Sequence, residues 1–198
     1  MNCLKRFLAP YKLLRSYWSA YGGYQALLCS PYFLLSLLLS ICITLFGSFD
    51  QPLLAAVFEK TFLINPSLLG FTLAGLTVFL GVGDERFRDA IRGETPENNK
   101  PSPFIVVFVS FMHFTLIQIL ALLNAVIGGF FFLSEIRQYV FFSLWLFLYS
   151  ILLVVAAILA VYQLAQWYDK AKKAQPSKEA SSEIIPYNEP YKLFFGEP

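Results

Sequence analysis

The chain predicts an all-α membrane protein: four transmembrane helices, both termini cytoplasmic, an N-terminal amphipathic helix and a cytoplasmic C-terminal tail. Three observations lead there. Of 198 residues, 57% are hydrophobic, 18% aromatic and only 14% charged, an apolar share above that of ordinary soluble domains. Residues 31–48, 66–83, 104–133 and 139–167 contain no Asp, Glu, Lys or Arg. The cations between and around these stretches are distributed one-sidedly. Lys60 and Arg137 alone occupy the first and third connections, while the other thirteen of fifteen lie in the N-terminal segment, the second connection and the tail. Cations collect on the cytoplasmic side, so those three segments are placed inside.

Residues 1–30 carry Leu4, Phe7, Leu8, Tyr11, Leu14, Tyr17 and Trp18 at helical spacing, with Lys5, Lys12 and Arg15 interleaved. This is the pattern of a helix lying at the headgroup level of the inner leaflet, either as an anchor or as a lipid-sensing or partner-docking surface. Pro10 and Gly22-Gly23 are expected to break or bend it. The first apolar run starts too far from Met1 for an ordinary secretory signal and should persist as an anchor. Cys3 and Cys29 fall on the reducing side and Cys42 within the first span, so packing is expected of them rather than a disulfide.

A crossing helix needs about 20 residues and must pair its own backbone. The spans are therefore set at about 31–48, 66–83, 104–127 and 139–165, giving a transmembrane domain over 31–167 and a tail over 168–198. Residues 53–64 are apolar except for Glu59, Lys60 and Thr61, too short to cross, and are expected to lie at the outer interface or dip inward. Asn65-Pro66 then reads as N-cap and first helical position of span two.

Span two shows Ser67, Gly70, Ala74, Thr77 and Gly81 in one stripe; Gly70, Ala74, Thr77 and Gly81 are the candidate helix-packing residues, within the subunit or between subunits. Span three alone holds strongly polar side chains near its middle. Ser110, His113 and Asn124 share a face with Gly128, and Gln118 points elsewhere. Polar groups in hydrocarbon face a bundle interior or a wet path, so these four line a pore or form a polar core. His113 is the only histidine, which excludes a multi-histidine metal site. In span four, Ser143, Ser150, Ala157 and Ala160 form a packing seam, and Tyr139, Trp145, Tyr162, Trp167 and Tyr168 include interfacial anchors.

The second connection continues span two with mixed charges, including Arg86 and Arg88, and with Phe87 and Ile91 four apart, which predicts a projecting helix ending near Gly93. In the tail, a polar linker is followed by Ile184, Ile185, Tyr187, Tyr191, Leu193, Phe194 and Phe195, too apolar for a free disordered end. It either folds back or docks in a groove of a partner; these residues, with Arg86 and Arg88, are the candidate partner-docking set.

No phosphate-binding loop, His-Glu-x-x-His, Cys-x-x-Cys or Gly-x-Ser-x-Gly is present, and no span holds a carboxylate. An enzyme is not expected, nor a cofactor or metal, nor direct nucleic-acid binding at a net charge of +2. Without internal repeats, an ion-coupled transporter is disfavoured.

Asn65-Pro66-Ser67-Leu68-Leu69-Gly70-Phe71, followed by Gly81-x-Gly83-Asp84-Glu85-Arg86-Phe87, resembles a pattern of small bacterial membrane proteins from anti-phage defence loci. With four spans and an aromatic tail, the chain resembles the membrane subunits of two-gene Kiwa systems. That resemblance implies a homo-oligomeric inner-membrane subunit that senses infection at the envelope and recruits a cytosolic DNA-binding effector. Two classes stay open: a non-enzymatic sensor and scaffold, or an oligomeric channel or permeabilising effector lined by Ser110, His113, Asn124 and Gln118.

Overall fold

The computed structural model describes residues 2–46, 51–81, 101–131 and 136–173, with Phe87 and Ile91 between them. These form six helices: α1 (Asn2–Tyr21), α2 (Gly23–Leu28), α3 (Pro31–Phe46), α4 (Gln51–Gly81), α5 (Pro103–Phe130) and α6 (Arg137–Lys173). α4 packs on α5 and α6, α3 on α6, and α1 on α5.

Three helices are long and apolar enough to cross a bilayer, over Ala56–Gly81, Pro103–Phe130 and Arg137–Ala171. α3 is equally apolar, but its 16 residues rise only roughly 24 Å, less than the ~30 Å of a hydrocarbon core. The outer surface fits that medium. Leu34, Leu35 and Leu38 of α3, Leu116, Leu120 and Leu123 of α5, and Val155, Ile158 and Leu159 of α6 are all exposed. An apolar patch of that extent is not found on a soluble monomer.

Hydroxyls in such a chain need partners close by, and the helices supply their own. Ser40, Thr44, Thr61, Thr72, Ser110 and Thr115 each donate to the carbonyl four residues back. Ser36, which donates to the Phe33 carbonyl three residues back, and Ser40 sit fully buried on α3 with their hydroxyls paired.

The largest difference from expectation is in α4. Instead of starting at Pro66, the helix runs unbroken from Gln51 for 31 residues, roughly 46 Å. Residues 53–64 are helical and continuous with span two, and the apolar stretch long enough to cross begins at Ala56. Pro66 removes the amide that the Phe62 carbonyl would have used, yet neighbouring helices can hold such a site helical. Here Asn65, fully buried, ties this turn of the helix to α5 and α6 instead of capping a helix start.

α1 likewise runs through Pro10, and the break falls at Gly22-Gly23 with φ of 99° and 70°. Those angles strain any residue with a side chain, and a Cβ on Gly22 would meet the Ala26 Cβ at 2.8 Å. Cys29 is exposed and Cys42 only half-buried, so neither is the packed core residue expected.

The main core gathers Phe79, Phe111, Phe114, Tyr149, Leu153, Ala156, Ala157, Ala160 and Leu164. Phe87 and Ile91 of the second connection join it, and Phe87 meets Tyr168 edge-on at 5.3 Å. Ser143, Ser150, Ala157 and Ala160 of α6 are all buried, where small side chains let backbones approach.

Candidate functional site: a polar core along helix α5

α5 carries three polar clusters, one above the other, each bonded to a different set of neighbours. The helix begins cleanly because the Ser102 side chain accepts from the Ile105 amide and Pro103 needs no partner for the hydrogen it lacks.

The first cluster surrounds His113. Its Nδ1 lies 2.8 Å from the Tyr17 hydroxyl and its Nε2 lies 3.1 Å from the Tyr149 hydroxyl. A neutral imidazole has one donor and one acceptor, so one tyrosine donates to the ring and the other accepts from it. The Tyr21 ring stacks on the imidazole at 4.2 Å and 26°, and a side-chain hydrogen bond links Tyr21 to Tyr149. Burial pushes the Tyr17 hydroxyl up to about 12, so it stays a neutral donor or acceptor at physiological pH. One turn before His113, Ser110 lines a cavity of about 10 Å³ with Tyr21, Ser30, Tyr32 and Phe114, room for a single water.

The second cluster is fully buried. The Gln118 Nε2 donates to Thr72 Oγ1 at 2.9 Å, and Thr72 in turn donates to the Leu68 carbonyl. Asn65 Nδ2 donates to the Gln118 carbonyl at 3.4 Å, and Ser150 Oγ shares its proton between Asn65 Oδ1 at 2.9 Å and the Phe147 carbonyl at 2.7 Å. α4, α5 and α6 are thus joined at one level. Gln118 Oε1 is buried there with no hydrogen-bond partner, as is Trp145 Nε1 elsewhere on α6.

The third cluster closes the α5–α6 hairpin. Asn124 Nδ2 donates to Ser143 Oγ at 2.7 Å, and the Tyr139 hydroxyl donates to the Asn124 carbonyl at 2.7 Å.

Ser110, His113 and Gln118 are therefore buried within one chain, and Asn124 is half-buried in the hairpin. The four do not share one lining. They divide among three helix seams, which is the arrangement of a polar core. Hydrogen bonds of this kind between helices contribute about 0.6 kcal/mol each on average in lipid. Among the described residues, no three His, Cys, Asp or Glu side chains come together to hold a metal ion.

The helix-packing stripe lies away from the packing within the chain. Gly70, Ala74, Thr77 and Gly81 are all exposed, and a Cβ at Gly70 or Gly81 would meet nothing within 4 Å. The inward face of α4 is nearly opposite and carries Thr61, Asn65, Thr72 and Phe79. The close approaches fall at Gly75, where a Cβ would lie 3.0 Å from the Phe111 ring, and at Gly128 of α5, where one would lie 2.6 Å from the Phe58 ring. Small residues mark where helices can approach; the larger polar residues decide where they do.

The docking residues Ile184, Ile185, Tyr187, Tyr191, Leu193, Phe194, Phe195, Arg86 and Arg88 lie outside the described residues. Several members of the polar core escape a reading by type. Tyr17 looks like a headgroup anchor, Asn65 like a cap, and Trp145, one of the candidate interfacial anchors, stacks on Tyr149 at 6.1 Å and 5°. The available signal was the i, i+4 spacing of Tyr17 and Tyr21, which puts both rings on one side of α1. In comparisons with family models, curated proteins and solved structures, nothing matched this chain.

Proposed function

We propose that this chain is a non-enzymatic, homo-oligomeric sensor and scaffold of a bacterial inner membrane. In this reading it has four spans, with α3 as the first, and both termini face the cytoplasm. The tail from Ile184 to Phe195 and the second connection with Arg86 and Arg88 recruit a cytosolic effector. The setting of anti-phage defence rests on the sequence resemblance to Kiwa membrane subunits.

The observation that carries the reading is the state of the polar groups in the membrane. Nearly all of them are engaged in hydrogen bonds inside one chain. A conduit lined by Ser110, His113, Gln118 and Asn124 would have to exchange those bonds for water and pull apart three helix seams. A rigid bundle held by such bonds suits a platform better than a path. The uncovered stripe from Gly70 to Gly81 supports assembly of several copies, since small faces let membrane helices associate.

The test compares the full chain with one ending at Ala180, both purified in detergent from the native host. A scaffold keeps its cytosolic partner only with the intact tail, and neither version conducts ions in planar bilayers. Conductance that survives tail removal and changes with His113→Leu would instead establish the channel.

A further inference from the structure

We propose that the exposed part of α1 is an arm that binds anionic phospholipid headgroups of the inner leaflet, hinged at Gly22-Gly23 and latched into the bundle at His113. This builds on the inward placement of the N-terminus above.

The charge pattern comes first. Residues 1–49 contain Lys5, Arg6, Lys12 and Arg15 and not one Asp or Glu; the first acid is Asp50. The segment has nothing of its own to neutralise those cations.

Placement comes second. Tyr11 to Ser16 are exposed at six successive positions, more than one full turn, so no helix of the described chain covers any face of this stretch. Tyr11 is 65%, Leu13 72% and Leu14 60% exposed, so apolar and cationic side chains stand together on an uncovered helix. That mixture fits the boundary between acyl chains and phosphates, where the apolar groups sink and Lys and Arg extend to the headgroups.

Attachment comes third. The next turn is held by Tyr17 and Tyr21 on His113, and the backbone then passes through two left-handed glycines. His113 is ten residues from the start of α5, roughly 15 Å along it. Before Tyr17, α1 continues for roughly 22 Å to Asn2. An arm fixed at its base and uncovered from Tyr11 to Ser16 lets lipid composition act on the His113 cluster, which itself joins α5 to α6.

The test uses the full chain with Cys3→Ser, Cys29→Ser, Cys42→Ala and Ser16→Cys, labelled with a polarity-sensitive dye. It is reconstituted in vesicles of phosphatidylcholine alone or with about one third phosphatidylglycerol. Quenching by neutral acrylamide should fall about twofold in the anionic vesicles and return at high salt. Lys12→Gln with Arg15→Gln should abolish the difference, whereas Lys12→Arg with Arg15→Lys should keep it. Equal quenching in the two lipids overturns the proposal, as does protection that survives the Gln pair. Labelling of the Ser16→Cys thiol in intact cells by a membrane-impermeant maleimide reports the side of the membrane separately. A failed topology is thereby distinguished from a failed lipid contact.

Discussion

At the scale of single residues, burial and hydrogen bonding must be read together. His113 and Gln118 are both buried polar side chains on α5, yet their removal should have opposite consequences. His113→Leu strips its partner from the Tyr17 hydroxyl and leaves Tyr149 only its bond to Tyr21, and losing such partners in apolar surroundings should cost about 1–3 kcal/mol. Gln118→Leu removes a side chain that is itself half-satisfied. Thr72 keeps its bond to the Leu68 carbonyl and the orphaned Oε1 disappears, so stability should stay within about 0.6 kcal/mol of the parent or rise. Unfolding of both variants in mixed micelles by SDS titration checks the pair. If the order were reversed, the hydrogen-bond assignment around His113 would be wrong. Neither result can be anticipated from residue type, because a His and a Gln in one apolar helix look alike until their partners are known.

Elements raise the question of where glycines are needed. Gly22→Ala should destabilise by about 1–2 kcal/mol, since it combines a positive φ with a Cβ contact at 2.8 Å, and should speed tryptic cleavage after Arg15 by freeing α1. Gly128→Ala drives a methyl against the buried Phe58 ring and should cost about 1–3 kcal/mol. Gly70→Ala, with open space around it, should be neutral or improve the helix by up to about 1 kcal/mol. Thermal unfolding of the three purified variants orders them. The helices themselves were legible in apolar run length, and the break after α1 in Gly22-Gly23. The start of α4 was misread because Asn-Pro has the chemistry of a helix start. The structure instead places that pair in mid-helix, with Asn65 bonded to α5 and α6.

For the whole molecule, the uncovered small-residue face of α4 has a direct consequence. If copies assemble through it, Gly70→Leu combined with Gly81→Leu should dissociate the oligomer while each subunit keeps its helicity, measured by native mass spectrometry beside circular dichroism. An unchanged oligomer would assign that face to lipid. A membrane protein, all helical, with several crossing segments was determined by the sequence alone, because hydrocarbon demands long uncharged runs whose backbones pair internally, and such runs are visible residue by residue. The sequence also determined that Ser110, His113, Gln118 and Asn124 need partners. Which partners they found was decided by tertiary structure. Tyr17 is 96 positions from His113 and Ser150 is 85 from Asn65, and no periodicity within one helix encodes which face of another will meet it. That choice follows from the joint packing of α4, α5 and α6, where most of the buried polar groups find their partners together.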